Sequence, residues 1–170
     1  MSHLNLRYCK RLTDRGINSI ALNLQKLYSL DLSFCTKVTV DALFNLLEVR
    51  GKTLAELRIQ SCRKLDIACD PNGLDGDGSA GRLILNALRS PSNESCLSVL
   101  DLRSCGGQPD PNKCYADNDS FVQGMASLQF EQKAPGYFAR SAWWNSERER
   151  QLVEQLVSSY DLLKVEGVNS

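Results

Sequence analysis

Histidine is almost absent from this chain: the single copy, His3, stands at the extreme N-terminus. Serine and cysteine triads need an imidazole base held against the nucleophile, so that chemistry has one badly placed candidate. A catalytic metal held by a histidine pair is excluded, and no complete glycine-rich phosphate loop ending in lysine and serine or threonine is present. These gaps point away from an enzyme and leave no cofactor to expect.

Net charge is missing too. Lys plus Arg and Asp plus Glu number 20 each, so no global field draws the chain to nucleic acid or to an anionic membrane. No apolar run approaches the roughly 20 residues that span a bilayer. The start, Met1-Ser2-His3-Leu4-Asn5, lacks the charged-then-apolar pattern of a secretory leader, which leads us to expect a cytoplasmic or nuclear protein. The seven cysteines are odd in number and contain no C-x-x-C pair. Free thiols in a reducing compartment fit that spacing better than a disulfide framework or a zinc ribbon.

What is present is a repeat. Leu4-Asn5-Leu6-Arg7-Tyr8-Cys9, Leu30-Asp31-Leu32-Ser33-Phe34-Cys35, Leu57-Arg58-Ile59-Gln60-Ser61-Cys62 and Leu100-Asp101-Leu102-Arg103-Ser104-Cys105 all read L-x-[LI]-x-x-C. Their first leucines are 26, 27 and 43 residues apart, the last gap being one repeat enlarged by an insertion. Alternation in L-x-L is the period of a strand with one buried face, so the leucines and Ile59 should point inward and the intervening residues outward. Leu27, Leu54 and Leu97, three positions ahead of three of these strands, should pack at the turn leading in. After the first two cysteines, Ile17, Ile20, Ala21, Leu24 and Val40, Leu43, Phe44, Leu47 recur at helical spacing and make apolar stripes.

One strand–helix unit cannot bury its own apolar face, whereas stacked units can. The expectation is an α/β fold, a right-handed leucine-rich-repeat solenoid with short parallel strands on the concave side and helices on the convex side. Cys9, Cys35, Cys62 and Cys105 are then structural, small buried groups at the bend after each strand. The stretch Cys9-Lys10-Arg11-Leu12-Thr13-Asp14-Arg15-Gly16-Ile17 resembles the C-x-x-L-T-D-x-G-[LI] signature of the cysteine-containing repeats typical of F-box leucine-rich-repeat proteins. The likeness covers Leu4 to Cys105 and fades beyond.

A single domain over 1–170 follows, with clear repeats in 1–127, an insertion near 70–81, and a degenerate last repeat and C-terminal cap in 128–170. Leu128-Gln129-Phe130 reads as a fifth strand, 28 residues after Leu100. Ser146-Glu147-Arg148-Glu149 has the form of a capping box before a helix carrying Leu152, Val153, Leu156, Val157 and Tyr160, and Leu163-Lys164-Val165 as one more strand. Tyr137, Phe138, Trp143 and Trp144 form the densest aromatic cluster, read as core or end cap. The acidic segment Asp70 to Gly81 fails as a calcium loop: with Asp75 and Asp77 as first and third ligands, Ala80 and Asn86 fall where glycine and glutamate are needed. It and Gly106 to Asn112 are read as solvated loops, and no metal site is expected.

A repeat stack of this kind acts by binding a protein partner on its outward strand positions. The candidate contacts are Arg7, Tyr8, Asp31, Phe34, Arg58, Gln60, Asp101 and Arg103, the arginines suiting a carboxylate or phosphate and the rings serving as anchors. The family resemblance implies substrate recognition for an SCF-type, cullin-based ubiquitin ligase, the partner then being a ligase substrate, although no F-box is recognisable in these residues. The alternative is a scaffold or regulatory repeat protein without a ubiquitin connection, or a piece of a longer repeat protein. Because the first strand begins at once, with no lid ahead of it, edge-to-edge self-association there is a further expectation.

Overall fold

Each L-x-L segment forms a strand three residues long, and successive strands sit side by side because each needs its neighbour to complete the burial of its leucines. The computed structural model describes residues 2–65, 80–90, 95–105, 119–134 and 136–140. In chain order the elements are β1 (His3–Asn5), α1 (Asp14–Asn23), β2 (Ser29–Asp31), α2 (Val40–Arg50), β3 (Glu56–Arg58), α3 (Ala80–Arg89), β4 (Val99–Asp101), α4 (Asp119–Ser127), β5 (Phe130–Ala134) and β6 (Tyr137–Arg140). They make a mixed α/β fold with one six-stranded sheet in the order β1-β2-β3-β4-β6-β5.

The first four strands are parallel and in strict register, Leu4 beside Leu30, Leu30 beside Leu57, and Leu57 beside Leu100. The pairing continues past the strand ends. Leu6 and Tyr8 donate their N–H groups to Asp31 and Ser33 carbonyls, Leu32 and Phe34 to Arg58 and Gln60, and Ile59 and Ser61 to Asp101 and Arg103. The lead-in leucines Leu27, Leu54 and Leu97 are buried, as are Leu30, Leu32, Leu57, Ile59, Leu100 and Leu102. They pack with Ile17 and Ala21 of α1, Leu43 and Leu47 of α2, Ile84 and Leu88 of α3 and Phe121 and Met125 of α4 in one core. In α2 the buried stripe widens to take in Ala42 and Leu46, since this helix has neighbours on both sides, α1 and α3. Thr13 and Thr39 precede α1 and α2 with extended backbone. The Asp14 carboxylate accepts from both the Thr39 N–H and the Thr39 hydroxyl at 2.9 Å, tying the start of one helix to the start of the next.

The last two strands depart from the expected pattern. Leu128 and Gln129 form the turn that follows α4, where Gln129 is left-handed (φ 65°) and the strand starts only at Phe130. That strand does not add a fifth parallel rung beside β4. It is the outer arm of an antiparallel hairpin whose inner arm, β6, pairs antiparallel with β4, Phe138 facing Leu100 and Tyr137 facing Asp101. Gly136 (φ 71°) makes this fit: its carbonyl accepts from Leu102 N–H, and a Cβ there would stand 3.1 Å from the Arg103 backbone. Phe138 and Tyr137 are fully buried, one beside Phe121 in the main core, the other on the opposite side of the sheet. Two further differences concern helices: α3 starts inside the segment expected as a loop to Gly81, and α4 stands where no helix is predicted. The calcium-like stretch at 75–79, the loop at 106–112, Trp143, Trp144, the capping box with its helix and the strand at 163–165 lie outside the described residues.

Candidate partner-binding surface

The strand ends repeat one device. Tyr8, Phe34, Ser61 and Ser104, the residues just before the four cysteines, all adopt left-handed backbone (φ 54–64°). None is glycine, so each carries a modest strain that the packed turn must hold. Ahead of that turn Asn5, Asp31 and Asp101 accept the N–H two residues on, at Arg7, Ser33 and Arg103, and so close the strand with a side-chain turn. The left-handed residue then swings the cysteine under the sheet. Cys35 donates its thiol to the Leu6 carbonyl at 3.2 Å, Cys62 to Leu32 at 3.2 Å and Cys105 to Ile59 at 2.8 Å. Each thiol thus reaches one rung back. Burial pushes Cys35 up and Cys62 up to about 11, so both stay protonated donors. Cys9 lies on the first rung, partly buried.

Facing away from the helices, the outward positions fall into an open half and a closed half. On the first two rungs Tyr8 is 56% exposed and stacks on Phe34 with ring centroids 4.4 Å apart and planes 18° from parallel. Arg7 lies beside both rings, its guanidinium carbon 5.4 Å from the Tyr8 centroid and 4.9 Å from that of Phe34. Asp31 is half-buried and Ser33 buried beneath them. Toward the other end, Glu56 pairs with Arg58 at 3.1 Å and accepts from the Ser29 hydroxyl, while Gln60 stays half-buried.

On the fourth rung the surface closes. Asp101 is 2% exposed and holds Arg103 through two bonds of 2.8 and 2.7 Å, with the Arg103 guanidinium also 5.7 Å from the Tyr137 ring. Burial lowers the basicity of Arg103, but the bonded carboxylate outweighs it and leaves the group above its ordinary value. Tyr137 is pushed up to about 12 by burial, with Arg58 opposing. Val99, Ala134 and Ala139 are buried around it. Of the eight outward residues named from the sequence, Asp101 and Arg103 are therefore engaged in closing the sheet. Arg7, Tyr8 and Phe34 are brought together as one group, the first two exposed and Phe34 half-buried, while Asp31, Arg58 and Gln60 are half-buried.

Glu56 and Tyr137 complete this electrostatic layer and were not among the sequence candidates; Glu56 could have been found as the outward residue one step ahead of Leu57. Among the described residues no group of three or more metal-ligating side chains exists, and no helix is long and apolar enough to cross a membrane.

No family model matches the chain. A curated protein, F-box protein MAX2 of Arabidopsis thaliana, is 32% identical over 75 residues, which is 44% of this chain and 11% of that protein. The chain thus spans about a tenth of the relative's length, and the likeness supports a loose relation to F-box proteins.

Proposed function

We propose that this chain is a protein-binding module, a short leucine-rich-repeat solenoid of the cysteine-containing kind, that recognises a protein substrate in SCF-type ubiquitin-dependent degradation. The observation that carries the binding reading is the stacked Tyr8–Phe34 pair, Tyr8 exposed and Phe34 half-buried, with Arg7 beside it. A rigid aromatic pair offers large contact area at little entropic cost, and an adjacent guanidinium adds a directional donor, which is the make-up of an interaction hot spot. Asp31, Gln60 and Arg58 extend the surface toward the third rung. The repeat reading rests on four L-x-[LI]-x-x-C segments in parallel register, with the thiols of Cys35, Cys62 and Cys105 bonded one rung back. The ubiquitin connection rests on the signature around Thr13-Asp14-Arg15-Gly16 and on the partial likeness to an F-box protein.

The test is affinity purification of the full-length gene product, wild type and with Tyr8→Ala and Phe34→Ala combined. Recovery of the ligase adaptor with both forms, and of a further protein with the wild type alone, is the expected result. Absence of the adaptor from both forms overturns the ubiquitin reading in favour of a scaffold or regulatory repeat protein. Equal recovery of every partner by both forms overturns the aromatic surface.

A further inference from the structure

The stretches after the first three repeat cysteines carry cations. Lys10 and Arg11 follow Cys9, Lys37 follows Cys35 by two, and Arg63 and Lys64 follow Cys62. All five are exposed. The rungs beneath them are in register, and the turns repeat the same bonds: Leu12 N–H to the Cys9 carbonyl at 3.0 Å and Leu65 N–H to the Cys62 carbonyl at 3.1 Å. Lys10 and Arg63 therefore occupy equivalent places two rungs apart, as do Arg11, Lys37 and Lys64 in the neighbouring file, with about 4.8 Å between adjacent rungs. Like charges this close repel, and among the described residues no carboxylate pairs with any of the five.

From this exposed cationic file we infer that the rim formed by these turns receives an acidic stretch of a protein partner, rich in aspartate or glutamate, lying across the first three rungs beside Tyr8 and Phe34. The inference rests on the proposed protein-binding reading and adds the chemistry of the partner. Opposite charge relieves the repulsion along the file and steers encounter, while the rings supply the anchor. A nucleic acid fits less well. The chain as a whole has no net charge, and the half-buried carboxylate of Asp31 on the second rung opposes a polyphosphate backbone.

The experiment is fluorescence anisotropy on the full chain with a labelled peptide of alternating glutamate and tyrosine, its glutamine counterpart, and a single-stranded oligonucleotide of equal length. The acidic peptide should bind about tenfold more tightly than the glutamine peptide, the gap shrinking as salt is raised. Combined Lys10→Gln, Arg11→Gln, Lys37→Gln, Arg63→Gln and Lys64→Gln should abolish the difference, with an unchanged melting temperature showing that the fold is intact. If that variant melts early, the pairs Lys10→Gln with Arg11→Gln and Arg63→Gln with Lys64→Gln, made separately, should each reduce it. Equal binding of both peptides, or retention of the preference by the variants, overturns the inference while leaving the aromatic surface standing, because Tyr8→Ala tests that independently. Tighter binding of the oligonucleotide than of the acidic peptide overturns it in favour of a nucleic-acid surface.

Discussion

The first rung and the third carry the same motif yet sit in different surroundings. Leu57, Ile59 and Cys62 have a strand on either side and are at most 1% exposed, whereas Leu4, Leu6 and Cys9 pack against one neighbour only and stay partly buried. Identical residues thus contribute in proportion to the neighbours they have, and a rung becomes core only when another rung lies on each side. At the far end the antiparallel hairpin supplies that second neighbour to β4, and in doing so it also covers the outward face. Tyr137 and Ala139 lie against Asp101 and Val99, whose equivalents on the first rung, Asn5 and His3, are exposed. The hairpin covers the outward face at the fourth rung, and the first rung keeps its outward residues exposed.

That contrast can be broken at several depths. The largest effect should come from Phe138→Ala, which removes a fully buried ring that joins the hairpin to Phe121 and Leu100, costing about 4 kcal/mol in urea unfolding. Leu57→Ala should cost about 3 kcal/mol, and Leu4→Ala, the same change on the first rung, less than half of that. Equal losses at the two leucines would contradict the view that neighbours set the contribution.

Alkaline pH probes the ladder next. The Cys62 thiol is held up to about 11 from an ordinary 9.0, so above pH 9 the unfolded chain gives up this proton while the folded chain keeps it. Stability should therefore be whole below pH 9 and fall by about 2 kcal/mol by pH 11. Tyr137 acts in the same direction between 10 and about 12. In Cys62→Ala the part of the slope starting at pH 9 should flatten. Asp14→Ala, which frees the two bonds to Thr39, should cost about 1 kcal/mol. Smallest of all, Tyr8→Ala should change stability by under about 0.5 kcal/mol, since the ring is more than half exposed, while weakening partner binding at least about tenfold.

Much of this was legible in the residues, and what was not has physical reasons. The inward leucines, the first two helices and the burial of Cys35, Cys62 and Cys105 follow from period and spacing alone. Strand direction does not, because alternation looks the same in parallel and antiparallel sheets. Leu128-Gln129-Phe130 keeps the repeat length and the L-x-apolar form, yet Gln129 lies in the turn that follows a helix. The Pro135-Gly136 pair between two strand-like runs was the turn signal that could have revealed the hairpin. Helix α4 was missed because Phe121, Gly124 and Met125 make a short buried stripe, with Gly124 suited to close approach to Leu85 rather than to helix propensity. At the candidate surface, outward direction was readable for all eight residues. Whether an outward residue meets solvent was not, because the hairpin that buries Asp101 lies over thirty positions further on.

Native-state alkylation read by mass spectrometry tests the thiol ladder most directly. Brief iodoacetamide treatment should modify Cys96, which is exposed, and leave Cys35, Cys62 and Cys105 unmodified until denaturant is added. Labelling of Cys35 or Cys62 in the folded chain at the rate of Cys96 would mean that these thiols do not reach into the rung behind them, and the stacked architecture would fall with them.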